Sequence, residues 1–176
     1  PFGYDLEYGL HMAQALEETG CVDYFNCDAG SFSSYWMEIP PAAIAEGTFR
    51  PLNAALKKVS RLPVVAFGRI RPRLAEEMLR EGEADLIGMA RQLITDPETA
   101  NKLRDGREDE VRLCIACNDA CTHQVGQGNP IRCVHNPAAG REMELNERTM
   151  APAPTRRRVV VVGGGPAGLK IAETAA

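Results

Sequence analysis

The spacing Cys114-x2-Cys117-x3-Cys121-x11-Cys133 constrains this chain more than any other feature. The chain shows no secretory signal, so crowded cysteines favour metal ligation over a disulfide framework. Three closely spaced thiolates can wrap three corners of a cubane iron–sulfur cluster, one sulfur per iron. The fourth must return on a folded-back loop, for which Gly126, Gly128 and Pro130 provide the turns. Structural zinc is the alternative, although zinc sites usually show two paired C-x2-C knuckles rather than three cysteines plus one. His123 and His135 lie in the same segment. They are expected beside the site or at the surface, because four thiolates already complete it. Cys21 and Cys27 stand apart and read as small buried hydrophobes.

Upstream, apolar periodicity alternates between two kinds. Leu6, Leu10, Ala13 and Leu16 have helical spacing, with Gly20 as a stop. Val22 to Cys27 reads as a strand, and Asp28 to Thr48 as a long loop of the kind that usually carries function. Leu52, Ala55, Leu56 and Val59 form one helix face; Val64 to Phe67 is a continuous apolar strand. Pro72 is placed to open a helix that buries Leu74, Met78 and Leu79. Ala84 to Ile87 is a third strand, and a helical stretch runs from there to about Asp105. Strands alternating with helices imply an α/β fold with a parallel sheet covered by helices. Periodicity leaves open whether that sheet is a closed barrel.

Two strand ends carry glycine beside arginine: Phe67-Gly68-Arg69 and Gly88-Met89-Ala90-Arg91. Glycine lets backbone N–H groups approach an anion, and a guanidinium adds paired bonds to a phosphate. In a (β/α) barrel a phosphate site after the last two strands is recurrent. Ordinary βα turns with surface arginines remain the alternative.

Gly106 to Thr149 has little periodic signal, and residues 151–158 (APAPTRRR) read as a linker. Val159 to Val162 is a fresh apolar strand leading into Gly163-Gly164-Gly165-Pro166-Ala167-Gly168 and a helix. In that context Gly163 permits the tight turn and Gly165 a close approach to a pyrophosphate. Gly168 allows helix–strand contact, and the helix start offers free N–H groups to the phosphates. The acidic residue that would bind a ribose falls beyond Ala176, so FAD, ADP and NAD(P) are equally compatible. The chain begins at Pro1 and stops inside an expected helix, which reads as a piece of a longer protein.

A net charge of −4 and one short basic run, Arg156 to Arg158, give no electrostatic reason to expect nucleic acid. No stretch approaches the length of a membrane span. A cytoplasmic setting is expected from the clustered thiols, and oligomerisation is left open.

With these motifs together, the chain resembles the iron–sulfur branch of the old yellow enzyme (NADH:flavin oxidoreductase) family. That branch includes 2,4-dienoyl-CoA reductase, enoate reductases, and trimethylamine and histamine dehydrogenases. The stretches that carry the resemblance are Cys114-Ile115-Ala116-Cys117-Asn118, Cys121, Cys133-Val134-His135-Asn136-Pro137, Gly140-Arg141-Glu142 and residues 159–168, VVVVGGGPAG. The resemblance implies three parts. Residues 1–108 would be the C-terminal part of an FMN-binding TIM (β/α)8 barrel, with 22–27, 64–67 and 84–87 as strands six to eight. Residues 109–150 would hold a [4Fe-4S] cluster on the four cysteines. After the 151–158 linker, 159–176 would begin a Rossmann-like FAD- or NAD(P)-binding domain. Gly68, Arg69 and Gly88 to Arg91 then fall where the family holds the FMN phosphate.

The implied activity is an electron relay, with the cluster passing single electrons between FMN and the second nucleotide site. The implied partners are NAD(P)H or an electron-transfer protein, and a small substrate. Dienoyl-CoA reductases carry a histidine in the loop after strand six, whereas Ser31 to Glu38 (SFSSYWME) has none. Tyr35 and Trp36 are therefore the candidate catalytic pair, able to hold a methylated ammonium by cation–π contact. Enoyl or dienoyl thioesters and N-methylated amines are both substrate candidates. The contrasting expectation is a non-enzymatic, zinc-stabilised nucleotide-binding module.

Overall fold

The computed structural model describes residues 3–145 and 151–176. Helix α1 spans Leu6–Glu18 and begins where the Asp5 carboxylate accepts the Tyr8 N–H at 2.9 Å, an N-cap that satisfies a free amide. It ends at Gly20, whose φ of +68° suits glycine. None of its residues is buried; of its apolar stripe Leu6 and Leu16 stay exposed, while Leu10 and Ala13 are half-buried. Glu17 anchors it instead: Ser60 Oγ donates to its carboxylate at 2.8 Å and Arg61 Nε at 2.7 Å.

Strands β1 (Phe25–Cys27), β2 (Val64–Ala66) and β3 (Leu86–Ile87) form one parallel sheet in the order β1-β2-β3. The register sets Phe25 opposite Val64, and Ala66 opposite Cys27 and Ile87. All three strands are shorter than the apolar runs 22–27, 64–67 and 84–87 predict. β2 is flanked on both sides, and its Val64 and Ala66 are fully buried. The outer two are bonded on one side only among the described residues, so only the stretches facing β2 are held extended.

The short helix α2 (Tyr35–Glu38) and a 3-10 turn at Phe32–Ser34 break up the loop expected between Asp28 and Thr48. Helix α3 (Arg50–Val59) buries Leu56 and Asn53. Helix α4 (Pro72–Arg80) opens on Pro72, which lacks the N–H that a first turn cannot use. Met78 is fully buried as expected, whereas Leu79 stays 39% exposed. Ala66, Ile70, Ala75, Met78 and Ala84 make the core, with Leu74 packed against it. Arg50 ties α3 to α4, donating to Glu77, Glu81 and Glu83 at 2.6–2.7 Å. The shared guanidinium keeps the Glu77 carboxyl below its ordinary value, through the hydrogen bond first and charge second.

The helical stretch expected up to Asp105 is two helices, α5 (Ala90–Thr95) and α6 (Thr99–Arg104). Pro97 lies between them and disfavours helical geometry at Asp96 before it. Downstream, the expected irregular segment holds a 3-10 turn at Glu108–Glu110, a π-helical turn at Asp119–His123, and the short helices α7 (Gln124–Gly126) and α8 (Glu142–Leu145). Its end, residues 146–149, lies outside the described residues. Helix α9 spans Pro166–Ala175.

The strand expected at Val159 to Val162 is not formed. Val160 is 79% and Val162 94% exposed. A β-strand needs a neighbour to take its N–H and C=O groups, and none among the described residues lies alongside.

Candidate functional site

A cavity of about 370 Å³ opens where β2 and β3 end. Gly68, Arg69, Gly88, Met89, Ala90 and Arg91 all line it, as do Cys114 and Cys121 from the cysteine segment. Both turns require glycine. Gly68 has φ +108°, and a Cβ there would meet the Phe49 ring at 2.6 Å. A Cβ on Gly88 would lie 2.2 Å from the Phe67 ring. Arg69 adopts φ 55°, a left-handed conformation rare outside glycine. Its Nη1 donates to the Ala42 carbonyl at 3.1 Å, while its buried Nε has no hydrogen-bond partner. A buried donor without an acceptor is costly. A phosphate in this cavity would supply one, so the residues fit an anionic group.

Arg91 donates to the Pro40 carbonyl at 2.8 Å and to the Asn118 side chain. Burial lowers its affinity for the proton, and the nearby Cys114 and Cys121 sulfurs act against that. A guanidinium stays charged regardless.

All six cysteines are free thiols. The Cys114 N–H donates to Gln92 Oε1 at 2.9 Å, and its Sγ accepts the Ala116 N–H at 3.4 Å. Ala116 (φ 54°) and Asn118 (φ 59°) are left-handed on either side of Cys117. Cys133 Sγ likewise accepts an N–H, from His135, at 3.4 Å. These N–H···S bonds fix the positions of the two sulfurs against the backbone.

Cys114 and Cys121 line the cavity, Cys117 is exposed, and Cys133 lines a second hollow beside α9. Among the described residues no three Cys, His, Asp or Glu side chains group closely enough to share one metal ion. A zinc ion, with Zn–S near 2.3 Å, would draw its sulfurs to about 3.8 Å of one another. A cubane gives each sulfur its own corner and spaces them more widely. The donor set thus fits four-thiolate ligation in chemistry, and the single-ion geometry is not preformed. His135 stands beside the site as expected, its Nδ1 3.2 Å from the Leu113 carbonyl. Cys21 departs from expectation and is exposed, while Cys27 is half-buried, its thiol pushed up by burial and then by Asp28.

Tyr35 lines the cavity and is 45% exposed. Trp36, its neighbour on α2, is 55% exposed and does not line it, so the two rings are not brought to the cavity together. The glycine-rich turn lies apart from this cavity. Gly163 has φ +106°, and a Cβ on Gly168 would meet the Gly163 carbonyl at 2.0 Å, so this turn closes tightly on the helix. No atom stands within 4 Å of a Cβ placed on Gly163, Gly164 or Gly165. Pro166 and Ala167 line the hollow that also holds Cys133 and His135.

Four residues without a sequence-assigned role knit the site together. Gln92 Nε2 donates to Thr99 Oγ1 at 3.0 Å and the Arg112 carbonyl at 2.9 Å. Asn136 Nδ2 donates to the Ile94 carbonyl at 2.8 Å, and Thr95 reaches Cys133. Asn118 spans two loops. Gln92 and Thr95 were detectable in principle, since polar residues at i and i+3 share one helix face.

Residues 36–110 match the model of the NADH:flavin oxidoreductase / NADH oxidase family. An NADH oxidase from Thermoanaerobacter brockii is 42% identical over 99% of this chain and 27% of its own length. A cinnamate reductase from Clostridium sporogenes is 34% identical over 99% of the chain and 26% of its own. The solved structure of 6-hydroxypseudooxynicotine amine oxidase from Pseudomonas geniculata N1 superposes with a TM-score of 0.84 at 35% identity, covering 94% of this chain and 25% of that one. The chain spans about a quarter of the length of the curated relatives it matches. Residues 36–110 place that stretch of the chain in the NADH:flavin oxidoreductase / NADH oxidase family, and its relatives align across nearly all of this chain.

Proposed function

We propose that this chain is the cofactor-bearing part of a flavin- and iron–sulfur-dependent oxidoreductase. It would pass electrons between a nicotinamide or flavin site and an FMN that reduces or oxidises a small organic substrate. One observation carries the reading: the glycine–arginine turns and two of the clustered cysteines line the same cavity. A flavin phosphate bound at Gly68, Arg69 and Gly88 to Arg91 would bring the flavin within reach of sulfurs at Cys114 and Cys121.

In this reading the chain supplies binding and electrostatics. Arg69 offers its unpaired Nε to the phosphate. Gly68 and Gly88 keep the approach free of side chains. Cys114, Cys117, Cys121 and Cys133 hold a [4Fe-4S] cluster, which supplies one-electron transfer between two-electron carriers. Gly163, Gly165, Pro166, Ala167 and Gly168 receive the pyrophosphate of FAD or NAD(P). Tyr35, which lines the cavity, would face the substrate.

The substrate is an enoate or enoyl thioester on one branch and an N-methylated amine on the other. The cinnamate reductase and amine oxidase relatives support one branch each. A cytoplasmic location accords with thiols kept reduced for ligation.

Anaerobic purification of the intact protein, with iron, sulfide and flavin assays, tests the reading. About four irons per chain, with a broad band near 400 nm beside the flavin bands, is expected for four-cysteine cubane ligation. A protein with flavin but no iron removes the relay, and zinc without flavin favours the scaffold alternative. Flavin bleaching by dimethylated amines without NAD(P)H selects the amine branch.

A further inference from the structure

Helix α5 turns one buried hydroxyl towards the cysteine segment. Thr95 is 2% exposed. Its Oγ1 lies 3.0 Å from the Arg91 carbonyl and 3.5 Å from Cys133 Sγ. A hydroxyl has a single proton and can donate to only one of these at a time. With Cys133 as a thiol, the S–H donates to Oγ1, and the hydroxyl proton goes to the carbonyl one turn back. A sulfur bound to iron has no proton. The contact then stays bonded only if the hydroxyl turns its own proton to the sulfur. The Arg91 carbonyl can release it, because it lies within α5, where the amide ladder provides a donor.

We propose that Thr95 is a positioning residue for the redox chemistry of the four-cysteine site: its hydroxyl donates to Cys133 Sγ and raises the reduction potential of the cluster ligated there. This rests on the iron–sulfur reading above. Adding an electron makes the cluster more negative, and hydrogen bonds to its sulfurs stabilise the reduced form more than the oxidised one. The His135 N–H is a second donor to the same sulfur. It is a backbone group that substitution at position 95 leaves in place, so an apolar residue there removes one of the two donors among the described residues. A purely structural Thr95, bonded back to Arg91 alone, would affect helix stability and leave the potential untouched.

The test is a redox titration of the intact, anaerobically purified protein, followed by the EPR signal of the reduced cluster. Thr95→Val is close in shape and Thr95→Ala is smaller; both remove the hydroxyl, and Thr95→Ser keeps it. In the apolar variants the ratio of reduced to oxidised cluster at a fixed ambient potential is expected to fall about fivefold, the factor for one hydrogen bond of ordinary net strength. Thr95→Ser is expected to titrate with the wild type. EPR sees only loaded protein, so a variant that folds or loads partially still reports its potential. Clusters present at unchanged potential in Thr95→Val and Thr95→Ala overturn the inference while leaving the iron–sulfur reading intact. Absence of iron from the wild type instead removes that reading.

Discussion

The Asn118 side chain donates to the Ile39 carbonyl at 2.8 Å across 79 residues of sequence, and its Oδ1 accepts from Arg91. One amide thereby ties the cysteine loop to both the end of α2 and the start of α5. The Ala42 N–H, donated to the Ala116 carbonyl at 2.9 Å, closes the same seam. The loop carrying Tyr35 and the loop carrying Cys114 and Cys117 are therefore one packed unit.

Asn118 also sits at φ 59°, which glycine adopts freely and alanine does not. Asn118→Gly should lose only the two side-chain bonds, about 2 kcal/mol together. Asn118→Ala should lose those and about 1 kcal/mol more for the backbone. Urea denaturation of the two variants checks this order. Equal midpoints would mean that the left-handed turn relaxes when the side chain goes.

Gly88 gives a second prediction, free of backbone strain. A methyl there would overlap the Phe67 ring, and overpacking of this kind costs about 1–3 kcal/mol. Because both residues line the cavity, Gly88→Ala should lower flavin content as well as thermal stability. Phe67→Leu in the same chain opens the space. It should restore more than half of both losses, and a double-mutant cycle in flavin retention and melting temperature measures the coupling.

The contrast between these two residues explains what could be read in the sequence. Gly88 follows an apolar strand and precedes an arginine, so local pattern alone marks it. The tie from Asn118 to Ile39 joins segments far apart in the chain through a polar side chain, which leaves no periodic trace. β2 was plain as a continuous apolar run because it is buried on both flanks. β1 and β3 came out shorter because extension depends on what lies opposite. Val159 to Val162 has the composition of a strand but no partner among the described residues, and composition cannot supply one. The cysteine spacing pointed to a ligand set, yet the N–H···S bonds from Ala116 and His135 depend on backbone angles that residue identity does not reveal.

Asp96 gives a pH prediction. Its side chain is 1% exposed and accepts Lys102 Nζ at 2.7 Å and the Arg112 N–H at 2.9 Å. Burial by itself would raise its carboxyl; the Lys102 ammonium and the Arg112 and Glu98 amides outweigh that and hold it below the ordinary value. A carboxylate depressed in the folded state stabilises the fold above its unfolded pKa of about 3.9, and that contribution disappears as pH falls through the lower folded value. At pH 7 Asp96→Asn leaves the largely buried Lys102 ammonium without its carboxylate, though still donating to the Glu110 carbonyl, and should cost about 3 kcal/mol. The gap between variant and wild type should narrow as pH falls below the unfolded value and through the lower folded one. A series of urea midpoints from pH 7 down into the acid range checks the trend, and a gap independent of pH would assign the loss to packing.

The cysteines differ in surroundings, and the difference orders the effect of removing them. Cys114 is held through its own N–H by buried Gln92 and through its sulfur by Ala116, and Cys133 is held by His135 and Thr95. Cys117 is exposed and its sulfur has no such clasp among the described contacts. On the proposed iron–sulfur reading, serine in place of Cys114 or Cys133 weakens a ligand, because its harder, more basic oxygen suits iron–sulfur ligation poorly. Iron per chain should fall well below half of wild type in either variant. Cys117→Ser should retain more, since less structure is organised around that sulfur, and Cys21→Ser, remote from the cavity, should load fully. Iron and sulfide assays on the four proteins, with circular dichroism as a folding control, decide the order. Equal loss at Cys21 and Cys114 would mean that iron content follows overall folding rather than ligation.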